Sequence, residues 1–371
     1  MNDRIKAIER QHPDRIPVSA SILPAAWMKH REALDAIVRR HPLVFGPQDK
    51  PRDYDAVWSD TYHKGEHVDA WGCVWSNVKD GAEAIVTGHP VPTRAAVHTL
   101  AIPDQDDNMP HGFMYLRLAD LRGFDEIMMD FAEEPPELQM LIDKVLAYNL
   151  RQVQKRLAAI QKPRQIVYFG DDLGMQHSLP ISPEKWRRYL KPCYRQIFAP
   201  VKAAGHYVYM HSDGHILEII PDLMDCGVDV LNPQVGANGL ANLARVCKGK
   251  VCVDLDLDRQ MFPFWKPADI DRHVQEAVEI LGAPEGGLWL KAEIGDDVPL
   301  ENVEAICCAL EKYSTYFKTH PATSPAGHPE RSEGSLSFRH SPKTAEILRS
   351  AQNGTVREKG ARMGSGDSGA H

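Results

Sequence analysis

A histidine and an aspartate two residues apart, in the run His211-Ser-Asp-Gly214, directly follow the apolar run Tyr207-Val-Tyr-Met210. Just past a strand, that spacing turns both side chains toward one face. Neutral imidazole and carboxylate both bind zinc, and a third ligand can come from a neighbouring strand end, leaving one position open for substrate. Glu293, close behind Leu288-Trp-Leu290, is the candidate third ligand, so the expected metal set is His211, Asp213 and Glu293. The His and Asp also suit an acid/base pair in which Asp213 orients or charges His211. Asp213-Gly214 could equally make the turn and cap a helix starting near Ile216. Asp171 and Asp172 follow Ile166-Val-Tyr-Phe169 in the same way. Two like charges so close raise one pKa, which suits a general acid, and a solvated acidic loop is the plainer alternative.

Amides and further acids stand at the ends of similar runs. Asn232 and Gln234 can hydrogen-bond a polar substrate or satisfy loop backbone. Asp254-Leu-Asp-Leu-Asp258 alternates acid and apolar at strand period, which places the acids on one side. In a buried strand Asp254 then needs a partner. Lys291 could form a Schiff base at a strand end or serve as a partner for the clustered acids.

Positioning these groups requires a repeated element. The runs 166–169, 207–210, 228–231, 251–253 and 288–290 are almost wholly apolar, and helical patterns alternate with them. Such alternation predicts a parallel sheet buried on both faces. We read the fold as α/β, a (β/α)8 TIM barrel whose polar strand ends share the C-terminal mouth. A first strand is expected over 16–19 after Pro13-Asp-Arg-Ile-Pro17, and a helix over 27–40. Helices are expected over 182–204, 216–225, 240–247, 268–281 and 300–313, several of them ending before a glycine. Between 47 and 110 tryptophans, histidines and prolines crowd together. Trp71-Gly-Cys-Val-Trp75 and Gly81-Ala-Glu-Ala-Ile-Val86 predict a hairpin in an aromatic-rich insertion over the mouth. Trp58, Tyr62, Trp71 and Trp75 could wall an organic substrate or make the insertion's own small core. The barrel is expected to occupy residues 1–318, and residues 319–371, poor in large apolar side chains, to be a disordered tail.

Composition narrows the partners. A formal net charge of -8 argues against a nucleic-acid partner, and no run of Lys and Arg interleaves with aromatics. No apolar stretch approaches the roughly 20 residues that span a bilayer, and the charged start lacks a signal core, so a cytoplasmic protein is expected. The seven cysteines lack the paired spacing of secreted proteins, which predicts reduced thiols.

Several of these motifs recur together in order. They are Pro13-Asp-Arg-Ile-Pro-Val18, Gly170-Asp-Asp-Leu-Gly174 with Ile181-Ser-Pro-Glu184, His211-Ser-Asp-Gly214 with Asp225-Cys-Gly-Val-Asp-Val-Leu-Asn-Pro233, and Val298-Pro-Leu-Glu-Asn-Val303. The chain resembles the uroporphyrinogen decarboxylase superfamily over about residues 10 to 316. True decarboxylases in it hold substrate acetates with N-terminal arginines and use no metal; here Ser19-Ala-Ser-Ile-Leu-Pro24 stands in that place. The other branch resembles corrinoid-dependent methyltransferases, with zinc on a His-x-Cys pair and a later Cys. His211 matches the His, Asp213 stands where the first Cys would be, and Glu293 lies near the second. The resemblance therefore implies zinc or another divalent metal, a corrinoid methyl carrier on a partner protein, a homodimer, and a methoxylated small-molecule substrate, since oxygen ligands activate thiols poorly. Two alternatives stay open. One is metal-free uroporphyrinogen decarboxylation with Asp171 or Asp172 near the pyrrole nitrogens, and the other is a non-catalytic barrel that binds a corrinoid or tetrapyrrole.

Overall fold

Apolar runs followed by helices do form the centre of the chain. The computed structural model describes residues 2–57, 59–105 and 111–320. Nine strands occur among them: β1 (Val18–Ile22), β2 (Gly65–Val68), β3 (Val74–Asn77), β4 (Ile85–Gly88), β5 (Ile166–Gly170), β6 (Tyr207–Ser212), β7 (Val230–Pro233), β8 (Cys252–Asp256) and β9 (Leu288–Ile294). Strands β1 and β5–β9 make one parallel sheet in the order β1-β9-β8-β7-β6-β5. All residues of β7 and β8 are buried, as expected where helices cover one face and the curved interior fills the other.

The closed eight-stranded barrel expected from the alternation is not what forms. The parallel sheet has six strands and is open, with β1 and β5 as its edges. Alternation reports that strands exist, not whether the first pairs with the last. The chain between β1 and β5 makes helices and a separate antiparallel sheet, β2-β3-β4, so among the described residues it adds no strand to the parallel one. At the β5 edge the chain past residue 110 comes alongside without forming a strand, where the amide of Gly112 donates to the carbonyl of Gly170 (2.8 Å).

The predicted hairpin is present as β3 and β4, extended by β2. Its connecting turn approaches the sheet's C-terminal end, where Lys79 lies 3.3 Å from Asp296 in the loop after β9. Trp58 lies outside the described residues, as does nearly all of the expected tail, residues 321–371.

Register decides which side chains share the inner face. Gly170, His211 and Asn232 are aligned across β5, β6 and β7. Asp254 is aligned with Trp289, Asp256 with Lys291, and Glu293 with Ser21. Toward the N-terminal end that face is apolar, with Tyr209, Val230, Cys252 and Trp289 packed on Ala7 of the helix Asp3–Ile8. Toward the other end it turns polar.

Candidate functional site

The first described residues after 110 place a histidine that the sequence did not advertise. His111 crosses the end of β5 so closely that a Cβ on Gly170 would lie 2.6 Å from its Nδ1. Glycine at 170 is what lets the imidazole reach the inner face. Its Nε2 is 3.0 Å from Oδ2 of Asp172. Asp172 in turn accepts from the amide of Asp213 (2.9 Å), and its Oδ1 is 3.7 Å from Nε2 of His211. The loops after β5 and β6 can meet this way because Gly214, at φ +78°, and Gly174 touch backbone to backbone. A Cβ on Gly214 would fall 2.1 Å from the carbonyl oxygen of Gly174.

His211 is oriented from behind. Its Nδ1 is 2.7 Å from Oδ1 of Asn232, whose amide nitrogen donates to the carbonyl of Asp254 (2.6 Å). That chain puts the proton on Nδ1 and leaves Nε2 facing Asp172 and Oδ1 of Asp213, 3.2 Å away. Ligand atoms of His111, Asp172 and His211 lie within 4.8 Å of one another. Burial opposes charge on His111, but the hydrogen bond and charge of Asp172 outweigh it and raise the imidazole to about 9. The same contact, helped by His211 and the Asp213 amide, overcomes burial and holds Asp172 down at about 2.

Asp213 and Glu293 have a different partner. Arg259, three residues past β8, donates one guanidinium nitrogen to Oδ2 of Asp213 and another to Oε1 of Glu293. A cation of the protein's own thus stands between two of the three residues expected to hold the metal. The groups best arranged for a divalent ion are His111, Asp172 and His211, with Oδ1 of Asp213 beside Nε2 of His211 and without a hydrogen bond among the described residues. Two imidazoles and a carboxylate suit zinc or a similar borderline ion, so the donor set fits the group that the resemblance implies.

The remaining expected residues are distributed over several tasks. Asp171 faces away from the site, wholly buried. It accepts from the amides of Met114 (3.2 Å), Tyr115 (2.6 Å) and Leu116 (3.0 Å) at the start of the helix Tyr115–Arg122, and from the Tyr194 hydroxyl (2.5 Å). Burial raises its pKa against those hydrogen bonds. Gln234 accepts from the Gly214 amide (2.9 Å) and so pins the loop after β6. Asp254 lies below the mouth, buried, and accepts from the Tyr209 hydroxyl (2.8 Å). Trp71 is buried edge-on to Tyr148 of the helix Pro136–Ala159 at 5.0 Å, whereas the Trp75 indole donates to Asp69 (3.1 Å) and stacks on His67 within the insertion itself.

Of the three acids that the sequence placed on one side at β8, Asp256 is the one without a hydrogen-bond partner among the described residues. Asp256 is 1% exposed on the inner face, and neither carboxyl oxygen has a hydrogen-bond partner among the described residues. Burial pushes it up to about 7, although Lys291, Arg259 and His211 pull the other way. Arg259 could have been suspected from its place just beyond the acid-rich strand end. His111 follows no apolar run in the sequence, so periodicity held no signal for it.

The uroporphyrinogen decarboxylase (URO-D) family model matches residues 113–313. That is more than half of the chain, and it coincides with the segment that carries β5 to β9 and all of the site except His111; the chain belongs to the uroporphyrinogen decarboxylase superfamily. Among solved structures it is similar to a methyltransferase from Methanosarcina mazei, with a TM-score of 0.56 and 18% identity over 84% of this chain and 98% of that one. At that identity the likeness concerns the fold. A B12-independent methionine synthase from Shewanella sp. W3-18-1 in complex with selenomethionine matches more weakly, with a TM-score of 0.34 and 10% identity over 49% of this chain and 56% of that one. No curated protein matches the chain. Among the described residues, no helix is long and apolar enough to cross a membrane.

Proposed function

We propose that the protein is a metal-dependent methyltransferase that moves a methyl group between a small methoxylated substrate and a corrinoid carried by a partner protein. The observation that carries this reading is the convergence of His111, Asp172 and His211 at the mouth, with Asn232 fixing the ring of His211 so that Nε2 points into the cluster. His111, Asp172 and His211 would hold the ion, with Asp213 beside them. Bound there, a divalent cation supplies Lewis acidity to the oxygen from which, or to which, the methyl moves.

The chain's own groups account for the rest. Asn232 keeps the His211 proton on Nδ1. Arg259 neutralises Asp213 and Glu293, which limits the negative charge that a departing oxygen would meet. Arg259 is thereby occupied and not free to hold substrate carboxylates, which weighs against a polyacidic tetrapyrrole. The same feature changes the part given to Glu293, which here acts through Arg259.

The test is metal content and methyl transfer measured together. Protein purified without chelator should lose one equivalent of metal in His211→Ala and in His111→Ala, and with it transfer of methyl from a methoxylated aromatic to cob(I)alamin. Equal metal content in wild type and both variants, or metal-free conversion of uroporphyrinogen to coproporphyrinogen, would overturn the reading.

A further inference from the structure

A second group of ligand-type side chains lies on the helix Leu300–Ser314. Glu304, Cys308 and Glu311 recur at intervals of four and three, so they share one face. His41, which ends the 17-residue helix Pro24–Arg40, is turned onto that face and is 5% exposed. Helical geometry breaks at Arg31 (φ 45°, ψ -123°), and His41 leads into the short helix Pro42–Phe45, which packs against β1 and the helix Leu300–Ser314. Its Nδ1 is 3.0 Å from Oε2 of Glu311, and its Nε2 is 3.2 Å from Oε1 of Glu304. A carboxylate on Nδ1 holds a proton there, and Nε2 then meets Oε1 of Glu304, two acceptors that need a proton or a cation between them, as in a carboxylate–histidine–metal triad. Arg40 donates to both oxygens of Glu304, Nη2 to Oε2 at 2.5 Å and Nε to Oε1 at 3.4 Å, so Oε1 is shared between Arg40 and the His41 side.

A ring nitrogen of His41, a carboxylate oxygen of Glu304 and Sγ of Cys308 lie within 4.8 Å of one another. Bonds of about 2.0–2.3 Å in a tetrahedral zinc site give ligand spacings of about 3.6 Å. The group is thus at most about an ångström wider than a filled site, a gap that rotation of Glu304 and the exposed Cys308 can close. One nitrogen, one oxygen and one sulfur favour zinc, cobalt(II) or nickel over magnesium or calcium. We infer that His41, Glu304 and Cys308 form a second divalent-metal site, separate from the mouth, which ties the helix Pro24–Arg40 to the helix Leu300–Ser314. Glu311 is its orienting carboxylate, and water completes the coordination.

Sulfur gives this site a signature that the mouth cluster lacks. The full chain, freed of metal under reductant and titrated with cobalt(II), should develop a thiolate-to-cobalt charge-transfer band in the near ultraviolet. Cys308 is exposed and the other six cysteines are buried, so the band reports on Cys308. Cys308→Ser should abolish it with the circular dichroism unchanged, Glu304→Gln should weaken binding at least tenfold, and His211→Ala should leave the band intact. A wild type without the band, or a Cys308→Ser protein that keeps it, overturns the site. Neither result touches the methyl-transfer reading, which rests on ligands without sulfur.

Discussion

Asp171 and Asp172 are neighbours of the same type with opposite tasks. Consecutive residues at a strand end point to opposite faces, so only Asp172 could join His211 while Asp171 turned outward to the helix Tyr115–Arg122. That much was open to view in the sequence; that three backbone amides and a tyrosine hydroxyl awaited Asp171 was not, because the helix starts more than fifty residues earlier. Replacing Asp171 by Asn removes a buried acceptor from those donors and should cost about 3 kcal/mol. Urea unfolding would measure it, and the folded fraction should still take up metal at the mouth. Asp172 and His111 instead make stability depend on pH. The His111 contribution is complete below its ordinary value near 6.5 and is lost as pH rises through about 9. The Asp172 contribution is complete above its ordinary value near 4 and is lost as pH falls through about 2. Metal-free protein should therefore unfold more readily at pH 9.5 than at pH 6, and Asp172→Asn should flatten that difference. An unchanged slope in Asp172→Asn would separate the slope from this pair.

The parallel strands, the helices behind them and the β3-β4 hairpin were legible as elements because hydrophobic period and capping residues are local signals. Ser182, for example, accepts from the Lys185 amide at the start of its helix as its sequence implied. Closure of the sheet was not legible, since it depends on whether the residues between β1 and β5 pair with the sheet or with each other. Contacts between loops were equally hidden. Gly170 reads as a strand-end glycine, yet its missing side chain is the space through which His111 enters. Gly170→Ala should displace the His111 ring and weaken divalent-metal binding at the mouth about tenfold, with the imidazole titrating closer to its ordinary value. Isothermal titration with zinc and the histidine proton resonances would follow both. A variant binding zinc as wild type does would mean that His111 is not among the ligands.

Across the molecule, the acids gather at the C-terminal end of one sheet while the N-terminal end of the same face is apolar. Two of the acids are answered by Arg259 and one by His111, but Asp256 is left without a hydrogen bond among the described residues. Folding must bury it as a neutral acid or at a cost in charge. Its pKa, raised to about 7, means that its contribution is most favourable below the unfolded value near 4 and is lost as pH climbs to 7, after which the deficit is constant. Asp256→Asn keeps the shape and removes the proton linkage. The variant should match wild type near pH 4 and exceed its stability above pH 7 by roughly 2–4 kcal/mol, read from urea midpoints across that range. A destabilised group kept at the mouth is the pattern expected where stability has been traded for activity, so the same variant should transfer methyl more slowly. Identical pH–stability profiles for wild type and Asp256→Asn would show that the carboxyl is solvated by water in the folded protein, and the expected trade would then have no physical basis.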